Sequence, residues 1–131
     1  MSVFSSQEQA EKVFERLFSI LAADENFTGR LRDSRLSLRL NHSKPDVELN
    51  ISADGVRIGP DPSGAKPSIT ISFSCDSAHK LWLGQLLVPV ALATGKMRIR
   101  GGVSKVLEIV PLLQPAFDQY PAIAAEAGLP V

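Results

Sequence analysis

Three short runs in this chain carry the same two-residue rhythm. Leu36, Leu38 and Leu40 alternate with Arg35, Ser37, Arg39 and Asn41. Val47, Leu49 and Ile51 alternate with Glu48, Asn50 and Ser52, and Ile69, Ile71 and Phe73 with Ser68, Thr70, Ser72 and Ser74. Successive side chains of a strand point to opposite faces, so each run has an aliphatic face and a hydroxyl, amide or charged face. A sheet assembled from them is wet on one side and must be covered on the other. Ser43-Lys44-Pro45-Asp46, Asp54-Gly55 and the run from 60 to 67 (PDPSGAKP) supply turns, with Asp54-Gly55 the sharpest hairpin signal. Val56-Arg57-Ile58 gives a further short strand. In residues 96–100, Met97 and Ile99 alternate with Lys96, Arg98 and Arg100. The expected sheet is an antiparallel meander.

The rest of the chain has helical spacing and provides the cover. Ser6 and Gln9 form a capping box ahead of Ala10, Val13, Phe14, Leu17, Phe18 and Leu21, which fall at three- and four-residue steps. Asp76 is placed to cap a helix carrying Ala78, Leu81 and Trp82. Pro89 suits the first turn of a short helix running through Leu92 and Ala93. Val103, Val106, Leu107 and Val110 form another apolar stripe, which Pro111 should end or kink; 115–127 forms a last helix closed by Gly128. The fold class is therefore α+β: a mainly antiparallel sheet covered on one face by helices. All 131 residues form one domain, with 114–131 a C-terminal helical extension.

Charge and cysteine usage narrow the function. Lysine plus arginine number 14, as do aspartate plus glutamate, which argues against a dedicated nucleic-acid binder. The lone Cys75 excludes an internal disulfide and fits a reducing compartment. No apolar run reaches membrane-spanning length, and MSVFSSQEQAEKVF lacks the pattern of a secretory signal, so a cytoplasmic location is expected.

Two stretches invite a chemical reading. ATGKMRIRGGVSK (93–105) has the Gly-Lys pair of a phosphate loop, but the required upstream glycine is Val90 and the required hydroxyl residue is Met97. Its alternation instead makes it a half-buried strand with the cations outward. SCDSAHK (74–80) groups Cys75, Asp76 and His79 at a helix N-terminus, where the dipole can stabilise a thiolate. The structural alternative makes Asp76 a cap, Cys75 a small strand-end residue and His79 exposed. With His42 and His79 the only histidines, no metal constellation has workable spacing, and no cofactor is expected. His42, beside a hairpin turn, is expected to meet solvent.

From Lys66 onward the chain resembles the sterol carrier protein 2 domain family. Ile69-Thr70-Ile71 leads to Asp76, an apolar helix ends at Leu83-Gly84, and Gly95-Lys96, alternating basic and apolar residues and Gly101 precede another apolar helix. The resemblance implies a five-stranded sheet, helices over one face and an apolar tunnel between them that binds fatty acids, acyl-CoAs, sterols or other lipids without a cofactor. It implies lining by Phe73, Leu81, Trp82, Leu86, Leu87, Val90, Met97, Ile99, Val106, Leu107 and Val110, with Phe117 and Tyr120 closing the mouth. Two features depart from the family: Leu86-Leu87-Val88-Pro89-Val90 stands where many members are polar, favouring an apolar ligand, and the extension from Leu112 suits a lid or a dimer contact. Lys96, Arg98 and Arg100 would meet an anionic membrane transiently. The alternatives are an interaction module serving a partner enzyme or a homodimer, and an enzyme using Cys75, Asp76 or His79 on a hydrophobic small molecule.

Overall fold

The computed structural model describes residues 3–60 and 66–131. The expected turn over 60–67 thus lies largely outside the described residues. Helices α1 (Gln7–Ala22) and α2 (Glu25–Asp33) precede strands β1 (Leu38–Ser43), β2 (Val47–Ser52), β3 (Gly55–Ile58) and β4 (Ile69–Ser74). Helices α3 (Cys75–Trp82) and α4 (Val88–Ala93), strand β5 (Met97–Arg100) and helix α5 (Val103–Ile109) follow. A 3-10 turn (Val110–Leu113) then leads into α6 (Gln114–Glu126).

The five strands run in the order β3-β2-β1-β4-β5. Three of the four pairings are antiparallel, but β4 does not continue a meander from β3: it lies parallel to β1 at the centre of the sheet. The ten residues between Ile58 and Ile69 make this possible. Moving from the β3 edge past β2 and β1 takes three strand spacings, about 14 Å, well within their reach. The register keeps every apolar face in phase: Leu38 faces Ile69, Leu40 faces Ile71 and His42 faces Phe73. Ile71 and Phe73 in turn face Ile99 and Met97.

The helices bury their apolar stripes on that face. Ser6 caps α1 by accepting from the Gln9 amide at 3.0 Å, and the Gln9 carboxamide accepts from the Ser5 amide at 2.7 Å while donating to Ala127 O at 2.9 Å. The capping box therefore also ties α1 to the end of α6, and Arg16 pairs with Glu126 along the same seam. Helix α2, capped by Asp24, was not anticipated; Phe27 and Leu31 form its buried stripe one turn apart. Ser74, not Asp76, caps α3, accepting from the Ser77 amide at 3.1 Å. A cap must lie outside the helix, and α3 starts at Cys75, two residues earlier than a cap at Asp76 would place it. Helix α4 holds Pro89 in its first turn, α5 ends at Ile109 with Pro111 inside the 3-10 turn, and Gly128 closes α6 in a left-handed conformation. At Gly101 (φ 114°) a Cβ would stand 2.7 Å from Ser68 O, so β5 leaves the sheet against the backbone where β4 begins.

Candidate functional site

Between the sheet and the helices α1, α2, α3, α4 and α5 lies a small void of about 60 Å³. The sheet contributes Leu38, Leu40, Ile71, Phe73 and Met97 to its wall; the helices contribute Phe18, Phe27, Leu81, Trp82, Val88, Val106 and Ile109, and the 3-10 turn Val110 and Leu113. Leu81, Val88 and Val110 also border a groove of about 270 Å³ on the surface, lined otherwise by Gly84, Leu86, Leu87, Pro89, Leu107, Pro111 and Phe117. Void and groove are thus separated by three aliphatic side chains. At the rim, Leu87 is 64% exposed and Leu107 nearly half exposed; Val90, on the outer side of α4, is nearly half exposed as well. Short α4 is apolar all round and α5 carries apolar residues on more than one face, which leaves some of these side chains in water.

The expected lining residues divide between the two spaces. Phe73, Leu81, Trp82, Met97, Val106 and Val110 border the void. Leu86, Leu87, Leu107 and Phe117 border the groove. Ile99 is half-buried on the edge strand behind Ile71, and Val90 stands on the outer side of α4; neither borders either space. Tyr120, expected at a mouth, is fully buried in α6. The reason is His79, whose Nδ1 stands 2.7 Å from the Tyr120 hydroxyl and whose Nε2 stands 2.6 Å from Pro130 O. A carbonyl only accepts, so Nε2–H donates to Pro130 and, in the neutral ring, Nδ1 accepts from Tyr120. Burial pushes the Tyr120 phenol well above its ordinary range, keeping it a donor. These bonds fix the buried face of α6, which carries Ala116, Tyr120, Ile123 and Ala124, against α3.

Eight lining residues were not anticipated: Phe18, Phe27, Leu38, Leu40, Ile71, Val88, Ile109 and Leu113. Phe18 and the three strand residues were already on apolar faces, so the signal was present. Phe27 belongs to the helix that was missed.

The Cys75-Asp76-His79 group does not assemble chemically. The Cys75 thiol donates to Pro45 O at 3.1 Å, and burial, reinforced by the charges of Asp76 and Asp46, pushes its pKa up to about 12. A thiol so protonated is no nucleophile at neutral pH. Asp76 accepts from the Val3 amide at 2.9 Å. Both His79 nitrogens are engaged as above, and the ring is buried rather than exposed. His42 is likewise buried, contrary to expectation. It stacks on Phe14 at 4.3 Å, lies against Phe73 at 4.8 Å and shares Nδ1–H with Val47 O at 3.1 Å. Its position on the apolar phase of β1 decides this, and the alternation through Leu38 and Leu40 was the available signal. Among the described residues, no three His, Cys, Asp or Glu side chains form a group able to hold a metal.

Lys96, Arg98 and Arg100 are exposed, Arg98 and Arg100 opposite Ser72 and Thr70 on the polar face of the sheet. No protein-family model matches the sequence, and no curated protein matches it. Solved structures do. Sterol carrier protein 2 from Yarrowia lipolytica superposes with a TM-score of 0.66 at 17% identity, over 90% of this chain and 99% of the other. The fold is that of a sterol carrier protein 2 domain. The sterol carrier protein domain 2 of Helicoverpa armigera shares it at a TM-score of 0.63 and 22% identity, over 88% and 95% of the two chains. Sterol carrier protein 2 from Aedes aegypti, solved with palmitate, does so at 0.55 and 14%, over 82% and 96%.

Proposed function

We propose that this sterol carrier protein 2-like domain takes up a hydrophobic molecule of lipid size between sheet and helices and carries it, without performing chemistry on it. The observation that carries this reading is the continuity of apolar surface from the internal void, past Leu81, Val88 and Val110, to the groove at α4 and α5. A solid core would have no reason to end in exposed Leu87 and Leu107 beside the side chains that void and groove share. The bound palmitate of the Aedes aegypti protein supports the same reading.

The void is far below the roughly 300 Å³ at which ligand pockets begin, so uptake requires movement. The parts that move are α4 and α5. Gly84 precedes α4, Gly95 follows it, and α5 is entered through Gly101-Gly102. Rotating these short helices outward merges void and groove into one channel. Each methylene then buried contributes about 0.8 kcal/mol before the costs of ordering the ligand. No helix among the described residues is long and apolar enough to cross a membrane. Lys96, Arg98 and Arg100 would draw the protein to an anionic bilayer in a first encounter, and the exposed leucines of the groove, on the other side of the sheet, would meet the acyl layer in a later orientation.

The test is lipid content and transfer. Native mass spectrometry and solvent extraction of protein equilibrated with lipid vesicles should find a bound long-chain lipid. Transfer between vesicles should accelerate with anionic lipid and slow in the triple variant Lys96→Glu, Arg98→Glu, Arg100→Glu. Protein that stays empty, with no change in melting temperature on adding lipids, would overturn the reading.

A further inference from the structure

One residue of the void's wall carries a buried polar group that no other group of the protein satisfies. Trp82 forms part of the wall, is 4% exposed, and its indole Nε1–H has no hydrogen-bond partner. Its neighbours are rings: Phe18 at 5.6 Å, edge to face, and Phe117 at 5.0 Å. Phe18 shares the void's wall with it and Phe117 lines the groove, so the indole stands between the two spaces that would merge on opening. Buried donors in folded proteins are nearly always satisfied, and a tryptophan that needed only to fill space could be a phenylalanine.

The rest of the lining is as informative. No side chain bordering the void or the groove carries a charge. Arg98 and Arg100 of β5 lie on the opposite, polar face of the sheet, and Lys105 beside the lining residues Val106 and Leu107 is exposed and paired with Glu108. A carboxylate or phosphate drawn into this space would lose its hydration with no cation to replace it, a far larger penalty than one indole donor offsets. A ketone, ester or hydroxyl oxygen has little hydration to lose and accepts one hydrogen bond in return.

Resting on the proposed lipid-carrier function, we propose that the ligand is a neutral lipid whose uncharged oxygen accepts the Trp82 Nε1–H, and that free fatty acid carboxylates are disfavoured. The indole orients the lipid: its oxygenated end lies at Trp82 and its hydrocarbon occupies the space along β1, β4 and β5.

Three probes of equal chain length test this: an n-alkane, its methyl ketone and its carboxylate, each offered from neutral vesicles to captured protein and quantified after extraction. The ketone should be retained about tenfold over the alkane, equivalent to about 1.4 kcal/mol, with the carboxylate lowest. Trp82→Phe should bring ketone and alkane to parity. The infrared carbonyl stretch of the bound ketone gives a readout in the unaltered protein and decides the matter if that variant folds poorly: it should fall relative to the ketone in hydrocarbon. Equal retention of alkane and ketone, strongest retention of the carboxylate, or an unshifted stretch would overturn the neutral-head assignment while leaving lipid carriage intact. Retention of none of the three would overturn both.

Discussion

Protonating His42 should unfasten this fold, by an amount that can be worked out. The ring lies between Phe14 and Phe73; Nδ1–H is used on Val47 O, and Nε2 has no partner. A second proton would place a cation among apolar rings, and burial accordingly lowers the pKa from 6.5 to about 4, partly opposed by the Val47 bond. The unfolded chain titrates at the ordinary value. Between pH 6.5 and 4 the unfolded state therefore binds more protons, and stability falls as pH falls through that window. The loss is about 2 kcal/mol at pH 5 and roughly 3 kcal/mol by pH 4. At about 4 °C per kcal/mol for a chain of this size, the melting temperature should drop by some ~8 °C between pH 7 and 5. Urea unfolding followed by fluorescence of the single tryptophan, Trp82, measures it directly. The control is His42→Phe, which keeps the ring stack and does not titrate. It forfeits one hydrogen bond but removes an unpartnered nitrogen, so at pH 7 it should lie within about 1 kcal/mol of the parent. Its loss between pH 7 and 5 should be smaller than the parent's by about 2 kcal/mol. Equal losses in the two proteins would refute the reasoning, because other titrating groups are common to both.

Three further outcomes follow from contacts already described. Gly101→Ala should cost about 2–4 kcal/mol in denaturant unfolding, since it combines a left-handed φ with a 2.7 Å approach to Ser68 O; Gly84→Ala, strained in φ alone with nothing within 4 Å, should cost only about 1 kcal/mol. Cys75 should react with a thiol reagent at neutral pH only after unfolding, and prompt reaction of the native protein would contradict its burial and raised pKa. Arg16→Ala should lower stability by less than about 1 kcal/mol, and less again in high salt, because both partners of the Arg16–Glu126 pair are more than half exposed.

The faces of the elements were legible in the sequence, and their neighbours were not. Alternation in 36–40, 47–51 and 69–73 gave strands with the correct side inward, and Pro89, Pro111 and Gly128 marked helix ends where the structure has them. Local period says nothing about which strand lies beside which, so β4 was taken as the next turn of a meander although it pairs with β1. Helix α2 was missed because Phe27 and Leu31 are a short stripe diluted by Thr28, Gly29, Arg30 and Arg32. The histidines were misplaced for a related reason. His42 was read by its residue type and its nearness to a turn, when its position two beyond Leu40 placed it inside. His79 depends on Tyr120 and Pro130, 41 and 51 residues away, and no local pattern encodes such a partnership. Ten of the thirteen lining residues meet the void or the groove because an apolar residue on the covered face of the sheet, or on the segments that cover it, has few other places to go.

The strand order has a consequence for solubility. The three six-residue strands occupy the middle of the sheet, and the two four-residue strands, β3 and β5, form its edges. A sheet edge presents unpaired backbone groups to any second copy of the chain, and short, cationic edges discourage that pairing. Arg57 marks one edge, and Arg98 and Arg100 the other. Two copies approaching edge to edge would set like charges against each other before any ladder could form. Replacing the β5 arginines with alanine or leucine would therefore leave an unguarded template for aggregation.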